Sequence, residues 1–245
     1  MKARRAAAAV AGALLLVTPC LSVLGADPPP GILFFATKPG LRTIDQDAQG
    51  GNPFASALIE AISEANLTLD RFPAELTSLT IRNSRGFQSP DIPEKIEPAT
   101  WTFQPKSVAE SRVALIVVFS DYSSGGADSL PGAQYDARRV SVALKHVGFQ
   151  TETIVDPNRA EFSKVLRDFS ERSASADVAI VYTTGHGVEV NGTTYLLPGD
   201  YPVSDENRAL DKKAFRVPEF ASVPRGRLIN FVFYAGCRDD PFGRP

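Results

Sequence analysis

Residues 113–119 read VALIVVF, a run of apolar and mostly β-branched side chains that is short enough to be one buried strand. From this run onward, strand and helix patterns alternate regularly. An apolar stripe at helical spacing ends at Gly148, and further strands are predicted at 149–155, 178–182 and 228–234. Alternating β and α units predict an α/β fold with a mostly parallel sheet and helices on both faces.

Shorter signals mark the remaining predicted elements. Asn158 and Glu161 match a capping box at the start of a helix. The Asn191-Gly192 pair is typical of a tight hairpin turn. The first half of the chain is less regular, and its predicted elements are a strand at 32–37, a helix that begins at Asn52-Pro53, a helix at 71–83 and a β-like stretch at 100–103.

The first 26 residues are predicted to be a secretory signal peptide. Lys2, Arg4 and Arg5 precede an apolar run at 6–17, and small residues follow. Because a membrane span needs about 20 apolar residues, we expect cleavage and export to the periplasm or outside the cell, without stable membrane insertion. Residues 27–245 have the length of a single domain. The formal net charge of −2 gives no indication of nucleic-acid binding.

Cysteine and histidine are rare in this chain. Cleavage of the signal peptide removes Cys20 and leaves Cys237 as the cysteine of the mature chain, which therefore forms no internal disulfide. A single thiol in an oxidising compartment is either used chemically or buried and inert. With His146 and His186 as the histidines, the sequence predicts neither a metal site nor a cofactor.

His186 and Cys237 each follow a predicted strand closely. Parallel sheets react at the carboxyl ends of their strands, so both side chains enter one crevice if the two strands are neighbours. A thiol with the ordinary pKa of about 8.5 is mostly protonated at neutral pH, and a nearby imidazole activates it. The N–H groups of Gly187 and Cys237 would then form an oxyanion hole.

These residues resemble the caspase and metacaspase family of cysteine peptidases. The motifs that carry the resemblance are Thr184-Gly185-His186-Gly187, Tyr195-Leu196-Leu197-Pro198 and Ala235-Gly236-Cys237-Arg238 followed by Asp239-Asp240-Pro241-Phe242. The histidine precedes the cysteine by 51 residues, and about 50 separate them in caspases. The resemblance implies an endopeptidase with a His186–Cys237 dyad that acts on peptide or protein substrates. It also raises calcium as an activator, for which the sequence shows no motif.

The first half of the chain resembles the small subunit of the same family, which normally follows the catalytic cysteine. This likeness rests on Phe35-Ala36-Thr37-Lys38-Pro39-Gly40, on an acidic loop with Asp45 and Asp47, and on Asn52-Pro53-Phe54. We therefore expect a circularly permuted, caspase-like α/β domain. It would have a small-subunit-like part at 31–103, a connector at 104–112 and a catalytic part at 113–245. A truncated fusion of two domains is the alternative.

Substrate preference depends on few positions. Leu130 stands where the resemblance places a pocket arginine of caspases that cleave after aspartate. Asp136 matches an acid with which metacaspases bind Arg or Lys, although it also suits a cap of the helix that begins there. Ala235 replaces the second acid of that pocket, and this favours an inactive caspase-fold module that binds a protein partner. An unrelated Cys–His hydrolase or transferase would require Cys237 at a helix start.

Overall fold

The computed structural model describes residues 27–104, 110–202 and 210–239. The predicted signal peptide and most of the predicted connector lie outside these ranges. Within them, no helix is long and apolar enough to cross a membrane. In chain order the elements are β1 (Ile32–Phe35), α1 (Pro53–Ser63), α2 (Phe72–Asn83), β2 (Arg112–Val118), α3 (Pro131–His146), β3 (Gln150–Val155), α4 (Arg159–Ser173), β4 (Val178–Thr184), β5 (Gly187–Val190), β6 (Thr193–Leu196), α5 (Leu210–Lys213), β7 (Phe215–Arg216), a 3₁₀ helix (Val217–Ser222) and β8 (Ile229–Tyr234).

Five strands form a central parallel sheet in the order β1-β8-β4-β2-β3. Side chains of β2 alternate between two apolar cores: Ile116 packs with α1, α2 and α3, and Leu115 packs with α4 and the small sheet β5-β6-β7. Because both faces are covered, the inner strands β2, β4 and β8 are buried along nearly their whole length. The predicted α/β class, with helices on both faces, is confirmed.

Local signals place several helix and turn boundaries as predicted. Asn52 caps α1 by accepting the N–H of Phe54 at 2.8 Å, with proline at the first helical position. The capping box of α4 is present, with Asn158 and Glu161 exchanging hydrogen bonds at 2.9 and 3.0 Å. Asn191 and Gly192 both have positive φ in the turn between β5 and β6.

The β-like stretch predicted at 100–103 is wrong as a strand. Thr102 forms only an isolated bridge with Thr68. Its neighbours Trp101 and Phe103 are buried instead, with ring centroids 5.7 and 5.4 Å from that of Phe231. Aromatic packing against the sheet, rather than strand pairing, therefore determines the local chain path.

The N-terminus of α3 is capped from a distant loop. The helix begins at Pro131, and the carboxylate of Asp45 accepts the N–H groups of Gly132 and Ala133 at 2.8 and 3.2 Å. Asp136 lies inside the helix, so the interpretation of Asp136 as its cap is wrong. The loop after β1 thus contributes an anion at the positive end of the α3 dipole.

Candidate active site

The two strands that precede His186 and Cys237 are direct neighbours. β4 and β8 pair in parallel register, with Tyr182 opposite Phe233 and Thr183 opposite Tyr234. Both strands end at the same edge of the sheet, so the two predicted dyad residues follow adjacent strand ends. This adjacency was the condition on which the predicted dyad depended.

Side-chain and backbone contacts hold these two strand ends together. The N–H of Ala235 donates to the carbonyl of Thr183 at 2.9 Å, and the hydroxyl of Thr184 donates to the carbonyl of Ala235 at 3.2 Å. Ala235, which the resemblance aligns with an acid of the metacaspase pocket, is buried. It offers the site only its backbone groups.

The imidazole of His186 is oriented from two sides. Its Nε2 lies 2.7 Å from the carbonyl oxygen of Asp128, which can only accept, so Nε2 carries the proton in the neutral ring. The His186 ring also packs edge-on against Tyr122, with centroids 4.4 Å apart. Nδ1 is therefore the basic nitrogen of the neutral side chain.

Tyr122 supports the backbone of the histidine loop as well. Its hydroxyl accepts the N–H of His186 and donates to the carbonyl of Leu197, both at 2.8 Å. Burial raises the pKa of Tyr122 far above its ordinary value. The phenol consequently stays neutral and keeps both hydrogen bonds over the physiological pH range.

The thiol of Cys237 contacts a residue that sequence reasoning missed. The N–H of Thr43 donates to Sγ at 3.3 Å, and its hydroxyl lies 3.4 Å from the same atom. Among the described residues, no hydrogen bond joins Sγ to the ring of His186. Catalytic hydrogen bonds often tighten only when substrate binds. In the sequence, Thr43 is marked only by its position in the loop after an apolar strand. The pairing of β1 with β8, which the sequence does not indicate, brings that loop to Cys237.

The segment that carries Thr43 is fixed along the Cys237 loop. Gly40 donates its N–H to the carbonyl of Arg238 at 2.9 Å, and Arg238 donates its N–H to the carbonyl of Leu41 at 2.9 Å. The side chains of Arg42 and Asp239 form an ion pair at 2.6 Å on the exposed side. The first and last described parts of the chain therefore meet at the thiol.

The side chain of Arg238 fixes the loop that carries Cys237. Its buried guanidinium pairs with Glu189 at 2.7 Å and with Asp91 at 2.6 Å, and it lies 4.1 Å from the ring centroid of Phe35. A buried guanidinium requires such anionic partners, because removing a charge from water costs free energy. Since Arg238 follows Cys237 directly, these contacts limit where the thiol can move.

The inner edge of β5 pairs with β6, and its outer edge faces the loop that carries Cys237. Leu197 donates to the carbonyl of His186 at 2.9 Å on the inner edge, while Glu189 donates its N–H to the carbonyl of Asp239 at 3.0 Å on the outer edge. Backbone N–H groups alternate between the two edges of an antiparallel strand. The N–H of Gly187, two residues before Glu189, therefore points to the same outer edge.

Only glycine fits at positions 187 and 236. A Cβ on Gly187 would lie 1.7 Å from the hydroxyl oxygen of Tyr234 and 2.6 Å from the carbonyl oxygen of Cys237. A Cβ on Gly236 would lie 2.4 Å from the same hydroxyl. The Tyr234 hydroxyl donates to the carbonyl of Cys237 at 3.3 Å, and the N–H of Cys237 has no acceptor among the described residues. The two predicted oxyanion donors thus flank one tyrosine.

Asp136 has no solvent exposure. Its carboxylate accepts the N–H of Asn52 at 2.9 Å and contacts the guanidinium of Arg139 at 3.3 Å. The pKa of Asp136 is raised to about 8: burial is the main cause, the contacts with Asn52 and Arg139 oppose it, and the nearby charges of Asp45 and Asp47 add to it. The carboxyl therefore resists ionisation in the folded protein.

The raised pKa of Asp136 predicts a pH-dependent stability. Between about pH 4 and pH 8 the unfolded chain has released a proton that the folded chain retains, so folding stability falls as pH rises through this window. Asp136→Asn removes this titration, and we expect its melting temperature to fall less than that of the unmodified protein from pH 5 to pH 8. Thermal denaturation followed by circular dichroism measures both slopes, and parallel curves would contradict the assignment.

The described residues contain no group of three or more His, Cys, Asp or Glu side chains that could hold a metal ion.

Comparison with protein-family models gives the family of this chain. The caspase-domain model of the peptidase C14 family matches residues 111–241, which is more than half of the 245-residue chain. The chain therefore belongs to the caspase-domain family of cysteine peptidases. The matched region includes His186 and Cys237 and leaves out the segment that contains β1, α1 and α2. A search of curated proteins found no match.

Proposed function

We propose that this chain is a cysteine endopeptidase in which Cys237 is the nucleophile and His186 the general base and acid. The observation that carries the proposal is the placement of both residues after adjacent parallel strands, with His186 Nε2 bound to the carbonyl of Asp128 at 2.7 Å. Because that contact occupies Nε2, Nδ1 remains to accept the proton of the thiol. An imidazole held in this way is the feature that separates an activated cysteine from an inert one.

The proposed reaction has two steps. The Cys237 sulfur attacks the peptide carbonyl while His186 holds the thiol proton, and the N–H groups of Gly187 and Cys237 stabilise the negative oxygen of the tetrahedral intermediate. His186 then protonates the leaving amine, which breaks the peptide bond and leaves a thioester. Water, deprotonated by His186, hydrolyses the thioester and regenerates the thiol.

The charge beside the thiol favours basic substrates. The segment that contacts Cys237 through Thr43 also carries Asp45 and Asp47, while Arg42 of the same segment is paired with Asp239. Opposite charges attract a substrate cation most strongly where water is partly excluded. We propose Arg or Lys as the residue before the scissile bond, in line with the position of Leu130 and the absence of a pocket arginine there.

A panel of fluorogenic peptides tests this function. The panel carries Arg, Lys, Asp or Ala before the scissile bond and is assayed with calcium and with a chelator, using the mature protein and Cys237→Ala. We expect cleavage of the Arg and Lys peptides that is absent in Cys237→Ala, at rates that do not require calcium. Failure of the folded protein to cleave any peptide in either buffer would contradict the proposal. That result would instead favour the caspase-fold binding module to which Ala235 points.

The position of β1 supports the proposed circular permutation. β1 lies before the matched catalytic region in sequence, yet it pairs in parallel with β8, the strand that leads to Cys237. The small-subunit-like part would thus reach its usual place in the sheet from the other end of the chain. An enzyme arranged in this way needs no cleavage between subunits, and activity that appears only after cleavage at 104–112 would contradict this.

A further inference from the structure

Asn52 connects four separate parts of the molecule. Its side-chain oxygen caps α1, and its backbone N–H donates to Asp136 on α3 at 2.9 Å. Its side-chain Nδ2 donates to the carbonyl of Ile44 at 3.0 Å and to the carbonyl of Ala235 at 3.4 Å. Ile44 follows Thr43 directly, and Ala235 precedes Cys237 by two residues. One buried amide therefore bridges the two segments that meet at the thiol.

The carboxyl of Asp136 is enclosed by backbone on the side of this amide. A Cβ on Gly51 would lie 2.0 Å from Asp136 Oδ1 and 2.5 Å from the guanidinium of Arg139. The chain at 51–52 therefore lies directly on the carboxyl and leaves no room there for a substrate side chain. Arg139 closes the other side through contacts with Gln49 and Ser56 at 2.9 and 3.0 Å.

We propose that Asp136 and Asn52 are positioning residues, which hold the Thr43 and Cys237 segments in register, and that Asp136 acts through Asn52 rather than by contact with the substrate. This inference rests on the proposed peptidase function only for its activity readout. It does not assign a basic preference of the site to Asp136, because the carboxyl of Asp136 has no solvent exposure and lies under Gly51.

The test uses a substitution that removes only the bridge. Asn52→Ser keeps a good helix cap and the backbone N–H that binds Asp136, but it lacks the Nδ2 donor to Ile44 and Ala235. Asn158→Ser is the matched control, because Asn158 caps α4 and contacts neither segment. Asp136→Ala removes the acceptor for the Asn52 N–H, whereas Asp136→Asn keeps that acceptor and the size of the side chain.

Two readouts separate positioning from substrate contact. The first is the rate at which iodoacetamide, a small neutral reagent, alkylates Cys237, and the second is kcat and KM for the Arg, Lys and Ala peptides. We expect Asn52→Ser and Asp136→Ala each to slow alkylation several-fold and to lower kcat by one common factor for all peptides, with KM little changed, and we expect Asp136→Asn to resemble the unmodified protein. The double variant should be no worse than the poorer single variant, because residues that act through one contact are not additive. Asn158→Ser should match the unmodified protein.

Selective loss of Arg and Lys cleavage in Asp136→Asn, with normal alkylation, would overturn the inference and make Asp136 a substrate contact. Normal alkylation and kcat in Asn52→Ser would overturn it as well. If the unmodified protein cleaves no peptide, the alkylation rates still decide the positioning role, so its failure and that of the peptidase proposal are distinguishable. If Asp136→Ala does not fold, as judged by circular dichroism, the alkylation rate and kcat of Asn52→Ser decide the positioning role.

Discussion

His186→Ala is expected to lower peptide hydrolysis about 10²–10⁴-fold, the usual contribution of a positioned general acid–base group. The variant loses the base for the thiol and the acid for the leaving amine. Little loss of stability is expected, because the His186 ring is only partly buried and its hydrogen bond is with the carbonyl of Asp128. Initial rates with the best peptide of the panel measure the effect, and thermal denaturation checks the fold.

His146 supplies the control for this substitution. It is exposed near the end of α3, where its Nδ1 contacts the carbonyl of Val142 at 3.0 Å. His146→Ala should therefore retain the hydrolysis rate of the unmodified protein. Equal rates for both variants and the unmodified protein would show that His186 is not the catalytic histidine.

Gly187→Ala is expected to reduce hydrolysis by about 10²–10³-fold, the loss that follows removal of one oxyanion donor. Its methyl group would lie 1.7 Å from the Tyr234 hydroxyl and 2.6 Å from the carbonyl of Cys237. Because the Tyr234 side chain is fully buried against the sheet, the start of β5 has to shift and carry its N–H away from the substrate oxygen. We expect the loss in kcat, since the donor acts mainly on the transition state.

Gly192→Ala separates this clash from general strain in the β5–β6 hairpin. Gly192 has a φ of 74°, and nothing lies within 4 Å of a Cβ placed there. Alanine at this position strains the turn by about 1–3 kcal/mol without touching the site. It should lower the melting temperature and leave kcat nearly unchanged. A similar loss of kcat in both variants would mean that hairpin stability, rather than the position of the Gly187 N–H, limits the reaction.

The parts of this structure that sequence analysis predicted are those with local causes. The strand predicted at 178–182 is visible because both faces of β4 are buried, which produces an apolar run over these five residues. The caps at Asn52 and Asn158 depend on neighbours two or three residues away. The predicted dyad followed from two such strands together with the rule that parallel sheets react at their carboxyl ends.

The parts that were missed depend on contacts between distant residues. Thr43 reaches Cys237 across 194 residues of sequence, and Asp45 caps α3 across 87. Neither residue has a local pattern that indicates its partner. The burial of Asp136 has no local signal either, because it is decided by how the loop after β1 packs on α3. A spacing rule cannot supply such packing.

Mass spectrometry of a covalent adduct tests the dyad most directly. The mature protein and His186→Ala are incubated with a peptidyl acyloxymethyl ketone that ends in arginine, and intact mass followed by peptide mapping locates the modification. We predict one adduct per chain, on Cys237, formed rapidly in the unmodified protein and at a small fraction of that rate in His186→Ala. No adduct on the folded protein, or equal rates in the two proteins, would contradict a thiol activated by His186.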